Sequence, residues 1–197
     1  VIKLVVFASG NGSNALNLAG YFKQHPLISF TTIYCNNPNA GIISKAKENG
    51  LGCRVFTKEE WKDGTIQSEL DFLKTDFIVL AGFLWLVPES LVESYNNRII
   101  NIHPSLLPKY GGKGMYGMAV HNAVVIAGES ESGITIHLVN KEYDKGAILS
   151  QKSVPITKDD TPESVAHKIH DLEYAYFPKT VEDYILNSEY TKIKIGA

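Results

Sequence analysis

Ile2-Lys3-Leu4-Val5-Val6-Phe7-Ala8-Ser9-Gly10-Asn11-Gly12-Ser13-Asn14 lies at the start of the chain and decides its architecture. Residues 2–8 form a near-continuous apolar run, the pattern of a strand covered on both faces rather than one face wet. From Ser13 to Gln24 the spacing turns helical through Leu16, Ala19 and Phe22, giving a β-loop-α unit. The alternation recurs downstream. A strand at Ile28–Cys35 leads to a helix near Asn39–Asn49, with Gly50 placed as its C-cap. A strand at Cys53–Phe56 precedes the capping-box sequence Thr57-Lys58-Glu59-Glu60, and a helix is expected over Ile66–Lys74. The strand Phe77–Ala81, a short helix opened by Pro88-Glu89-Ser90, the strand Ile99–Ile102 and a helix over Met118–Ala127 continue the pattern. Repeated βα units imply a mostly parallel sheet with helices on both faces. The final third departs from it: Ser132–Val139 and Ile148–Ile156 are joined by only Lys141-Glu142-Tyr143-Asp144-Lys145-Gly146, so they should pair antiparallel. Thr161-Pro162 then opens a long helix expected to reach about Tyr176, where Pro178 interrupts the pattern.

At 197 residues, 44% hydrophobic and 20% charged, the chain suits a single α/β domain, 1–197, around one sizeable core. A net charge of -2 with scattered Lys and Arg offers no basic field, so neither nucleic acid nor an anionic membrane is an expected partner. The longest uncharged apolar stretch, Phe77–Pro88, is about 12 residues, too short to span a bilayer. With no leader ahead of Val1, the expectation is a soluble cytoplasmic protein. Cys35 and Cys53 have neither metal nor disulfide-framework spacing and are expected as reduced core residues.

Two stretches carry chemistry. After the first strand, Gly10, Asn11, Gly12, Ser13 and Asn14 let backbone approach an anion while the following helix aims free N–H groups at it. A dinucleotide would call for an acidic residue at the end of the second strand, but Tyr34-Cys35-Asn36-Asn37 lacks one. A Walker lysine is also missing, so a single phosphate group is the expected ligand, and a plain packing turn is the alternative. The second stretch is Asn101-Ile102-His103-Pro104. In a strand, residues i and i+2 leave the same face, which sets an amide donor beside a base, and Pro104 biases His103 toward extended backbone. On spacing alone this is equally an ordinary strand-to-loop junction. Asp144 is by itself a solvated turn residue; next to a histidine it could hold the imidazole tautomer for acid–base work. His25, His121 and His167 are expected at the surface or at helix ends, and His137 as a hydrogen-bonded half-core residue. No residue set has metal-ligand spacing, and Ser13 and Ser105 lack a nucleophile elbow.

Five motifs in order, FASGNGSN (7–14), VLAGFLWLVP (79–88), RIINIHPSLLPKY (98–110), SGITIHLVNKEYDKGAIL (132–149) and HDLEYAYFP (170–178), resemble the phosphoribosylglycinamide formyltransferases of purine biosynthesis over nearly the whole chain. The resemblance implies a three-layer α/β/α fold with a mixed seven-stranded sheet, mostly parallel and with one late strand antiparallel. It implies formyl transfer from 10-formyltetrahydrofolate to the amine of glycinamide ribonucleotide, both small molecules, without a metal. It makes Asn101, His103 and Asp144 the catalytic trio, acting through a tetrahedral intermediate. It places the substrate phosphate on Gly10–Asn14, Glu173 near the ribose or amino end, and Lys62 as a basic candidate beside the phosphate. The pteridine would lie against Leu84, Trp85, Leu86, Val87, Ile99, Val139, Asn140 and Tyr143. Many relatives have Arg where Trp85 stands, and the loop Tyr110–Met115 is richer in glycine than the common version. Related acceptors, a formyltetrahydrofolate hydrolase or a tRNA formyltransferase, and a noncatalytic nucleotide-phosphate-binding module remain alternatives. Either monomer or homodimer is compatible with the sequence.

Overall fold

A computed structural model describes residues 1–196. Its seven strands are β1 (Ile2–Ala8), β2 (Ile28–Cys35), β3 (Cys53–Val55), β4 (Phe77–Leu80), β5 (Ile99–His103), β6 (Glu131–Leu138) and β7 (Ile148–Pro155), forming one sheet in the order β3-β2-β1-β4-β5-β6-β7. β1 to β5 run parallel, and β6 pairs antiparallel with both β5 and β7, so it alone opposes the rest. This is the expected mixed sheet. The direction in which the chain winds reverses between β1 and β4, and the crevice outside their carboxyl ends is where open α/β sheets place ligands.

The apolar run of β1 feeds two cores at once. Leu4, Val6 and Ala8 pack with Ala15, Leu18 and Phe22 of α1 (Ser13–Phe22) and Ile42 and Ala46 of α2 (Ile42–Glu48). Val124 of α6 (Met118–Ile126) and Val165, Ile169, Phe177 and Val181 of α7 (Pro162–Asn187) complete that face. Val5 and Phe7 point the other way, into Trp61 of α3 (Lys58–Lys62), Ile66 and Leu70 of α4 (Thr65–Phe72), and Leu91 of α5 (Glu89–Ser94). Period-two alternation along one strand thus distributes side chains to both helical layers.

Three elements differ from expectation. The capping box at Thr57 and Glu60 does start a helix, but α3 ends at Lys62 and a second N-terminus forms α4 after Gly64, whose φ is 88°. Helix α7 does not stop near Tyr176; it runs through Pro178 to Asn187. Proline there removes the N–H that would bond the carbonyl of Tyr174. Asn17 supplies the missing donor, its Nδ2 lying 2.9 Å from that oxygen, and the buried stripe Phe177, Pro178, Val181, Ile185 holds the helix to the sheet. A further helix, α8 (Glu189–Ile195), went unread; it is anchored by Tyr190 and Lys194, which bond the buried carboxylate of Asp76 at 2.6 Å each. Cys35 is buried and Cys53 half-buried, and both are free thiols.

Helix α1 is stitched to α7 by a row of polar contacts. Asn14 Nδ2 donates to Glu173 Oε2 at 2.8 Å, Asn17 to Tyr174, and the Tyr21 hydroxyl to Glu182 at 2.7 Å. Steps of three and four residues put these side chains on one helix face. The first contact places Glu173 beside the glycine turn.

Candidate active site

The turn after β1 is held from three sides. Ser9 Oγ accepts the N–H of Leu84 at 3.0 Å, Asn37 donates to the Ser9 carbonyl, and the Ile42 N–H donates to Gly10 at 3.1 Å. Gly12 has φ 67°, and a Cβ there would overlap Ile42, so the turn needs glycine for both conformation and room. No side chain caps α1, which leaves its first N–H groups and the positive end of its dipole directed at the crevice. Lys45 Nζ, 3.2 Å from the Asn11 carbonyl, adds a positive charge beside the turn.

The other chemistry-bearing residues meet on the floor of the same cavity, whose volume is about 880 Å³. Asn101 and His103 project from β5 as spacing required, and both line it. Antiparallel pairing sets His137 of β6 directly opposite Asn101, and Asn101 Nδ2 lies 3.0 Å from His137 Nε2. His137 Nδ1 is 2.8 Å from the Leu138 carbonyl, so that nitrogen carries the proton and Nε2 accepts from the amide. One hydrogen of the Asn101 amide is therefore fixed, and the second is free for a ligand. Thr135 steadies the segment after His103: its hydroxyl donates to the Ser105 carbonyl at 2.7 Å and accepts the Leu107 N–H at 3.0 Å.

Asp144 arrives from the β6–β7 loop and sits between two imidazoles. Its Oδ2 is 3.6 Å from His103 Nδ1 and its Oδ1 is 3.6 Å from His137 Nε2. The Gly112 N–H donates to Oδ2 at 2.8 Å. Burial alone would raise its pKa, but the two flanking imidazoles and the Gly112 N–H outweigh this and leave it below the ordinary value. His103 is 4% exposed, and that burial holds its pKa below the ordinary value against the opposing pull of Asp144. The sequence reading gave Asp144 the task of fixing the His103 tautomer. The geometry assigns it elsewhere: His103 Nε2 lies 2.7 Å from the Tyr110 carbonyl, which can only accept, so the proton sits on Nε2 and Nδ1 presents a lone pair toward Asp144.

Leu84, Trp85, Leu86 and Val87 form a wall of the cavity, and Val139, Asn140 and Tyr143 line it as well. The wall is backed by aromatic rings: Trp85 meets Phe56 edge-on at 5.7 Å, and Trp61 Nε1 donates to the Leu86 carbonyl at 2.9 Å. Glu173 lines the cavity near the glycine turn, and burial raises its pKa. Two expected residues lie elsewhere. Ile99 is buried in the second core and contributes only its carbonyl, which accepts the Val139 N–H at 2.9 Å. Lys62 is exposed on α3, because Trp61 takes that helix's inward position.

His121 is a further correction. Expected at the surface or at a helix end, it does lie in the first turn of α6, but it is buried, lines the cavity, and has no partner for Nδ1 among the described residues. His170, near Glu173 Oε2 at 3.5 Å, and His137 were also missed as site residues. Only the strand pairing identifies His137, since a β6 register placing it opposite Asn101 is invisible in linear spacing.

A glycine turn opening onto an uncapped helix N-terminus, a fixed amide and a buried imidazole–carboxylate pair share one crevice of an open α/β sheet. The family model for formyl transferase matches residues 2–181, and the chain belongs to that family. It is 42% identical over 186 residues to the chloroplastic phosphoribosylglycinamide formyltransferase of Arabidopsis thaliana, covering 91% of this chain and 64% of that protein. The chain thus spans less than two thirds of this plant relative, and 60% of that from Vigna unguiculata. The phosphoribosylglycinamide formyltransferase of Bacillus subtilis is 33% identical, with 91% of this chain and 93% of that protein covered. Among solved structures, the phosphoribosylglycinamide formyltransferase of Anaplasma phagocytophilum superposes with a TM-score of 0.83 at 33% identity, covering 91% of this chain and 84% of that one.

Proposed function

We propose that this chain, acting as one catalytic domain, transfers the formyl group of 10-formyltetrahydrofolate to the amine of glycinamide ribonucleotide. The observation carrying the reading is the convergence of Asn101, His103 and Asp144 in a cavity that also contains the Gly10–Asn14 turn. The relatives' names supply the ribonucleotide and the formyl group, the folate donor comes from the family resemblance, and the chemistry of the residues agrees with both. The phosphate sits on the N–H groups of the turn and the first turn of α1. The flat pteridine lies between the Leu84–Val87 wall and the Val139–Tyr143 loop.

When the amine adds to the formyl carbon, the carbonyl oxygen gains negative charge, and the free amide hydrogen of Asn101 is positioned to stabilise it. The nitrogen must lose a proton. His103, held neutral by burial and with Nδ1 unprotonated, accepts it directly or through one water, and the resulting imidazolium faces the Asp144 carboxylate. Collapse then expels the folate nitrogen, to which the same group returns the proton. An assay offering formylfolate with glycinamide ribonucleotide, methionyl-tRNA or water as acceptor tests the reading. Formyl transfer to the ribonucleotide is expected; transfer to either of the others in its place overturns it.

A further inference from the structure

His103 and Asp144 are both held by the backbone of one short turn, Tyr110–Gly112. Tyr110 accepts the Nε2–H of His103 on its carbonyl, and two residues later the Gly112 N–H holds Asp144. Tyr110 itself has φ 56°, a left-handed conformation that bulky L residues seldom adopt. The chain beyond it is Gly111-Gly112-Lys113-Gly114, which has little stiffness of its own. Gly111 must stay bare, because a Cβ there would come within 3.3 Å of Asp144 Cβ and closer still to Leu107. The turn therefore needs an anchor elsewhere. The Tyr110 hydroxyl supplies one by donating to Glu129 Oε1 at 2.8 Å, and Glu129 is itself fixed by Lys109 Nζ at 2.9 and 3.0 Å. Ser105 closes the other side, donating to the Lys109 carbonyl at 2.7 Å.

We propose that Glu129, which touches no reacting atom, is a positioning residue: through the Tyr110 hydroxyl it locks the left-handed turn whose carbonyl keeps the His103 proton on Nε2 and whose Gly112 N–H orients Asp144. The proposal builds on the assignment of His103 and Asp144 to proton transfer. Its structural half can be read without any turnover.

The test uses Tyr110→Phe, which keeps the ring in the core, Glu129→Ala, and Glu129→Gln, which retains an oxygen acceptor. Nitrogen-15 NMR of the imidazoles should show His103 as a single Nε2–H tautomer in the parent protein and a mixture in Tyr110→Phe and Glu129→Ala. Those two should lose about tenfold in kcat with KM for both substrates within about twofold, the pattern of misplaced catalytic groups. The acid limb of their kcat profile should shift, and Glu129→Gln should restore both the tautomer and most of the rate. An unchanged tautomer and pH profile in Tyr110→Phe and Glu129→Ala would overturn the proposal, as would failure of Glu129→Gln to restore the signature. A tautomer shift in a protein that formylates no ribonucleotide would sink the assigned reaction while leaving the positioning role standing.

Discussion

The two ends of the cavity are built by different means. The end proposed to take the phosphate, the anion end, is contiguous: one strand, one glycine turn and one helix N-terminus, offering backbone N–H groups that the fold provides automatically. The end proposed for formyl transfer, the transfer end, is assembled from β5, β6, the Tyr110–Gly112 turn and the β6–β7 loop, and it presents side chains aimed by one another and by that turn. An end made of backbone is robust to side-chain substitution and vulnerable to changes in backbone conformation. An end made of side chains is the reverse.

The sharpest way to break this contrast is at the transfer end. His103→Ala removes the proton carrier and should lower kcat by about 10²–10⁴. Asn101→Ala removes one oxyanion donor and should cost about 10²–10³ in kcat with little change in KM for the ribonucleotide. Steady-state kinetics with both substrates varied would show this; a loss confined to KM would mean that these groups only bind. At the anion end the signature should invert. Gly12→Ala forces a left-handed alanine costing about 1–2 kcal/mol, with steric overlap on Ile42 in addition. Its Tm should fall and its KM for the phosphorylated substrate rise more than kcat falls.

The pH dependence sharpens the comparison further. Because burial holds the His103 pKa below its usual value, kcat should stay level through the ordinary imidazole range and drop only on the more acidic side. Stability follows with its own sign. The unfolded chain takes up the His103 proton first as pH falls, so the contribution of this residue is intact above the ordinary histidine range and declines below it until the folded pKa is passed. Denaturant titrations across that window would show a rising stability with pH, and a flat profile would mean that the ring is not desolvated in solution. The smallest effect belongs to Asn17→Ala, which leaves the Tyr174 carbonyl to solvent beside Pro178. A cost of about 0.5–1.5 kcal/mol in unfolding free energy, with unchanged kcat, is expected.

What the sequence disclosed tracks the same division. The Gly10–Asn14 turn was legible because its chemistry is local, and so was the i, i+2 pair Asn101 and His103. The mostly parallel sheet and its antiparallel final pair followed from alternation and from a short connection, whereas the order of the strands, set by tertiary packing, was not legible. His137 and the turn at Tyr110 were not legible as site elements, because their roles come from cross-strand register and from a backbone carbonyl. Lys62 failed for a related reason: its neighbour Trp61 decides which way a five-residue helix faces. Pro178 misled because a helix can tolerate proline when a distant side chain, here Asn17, meets the orphaned carbonyl.

The contact between Asn14 and Glu173 gives the site a built-in gauge. With one Nδ2 hydrogen committed at 2.8 Å, the Asn14 side chain keeps its second N–H and an oxygen that is buried and has no partner among the described residues. An anion gains nothing from that atom. An atom that demands a hydroxyl or N–H thus stands one residue from backbone N–H groups that favour negative charge, so a ligand reaching both must carry the two kinds of group at a matching separation.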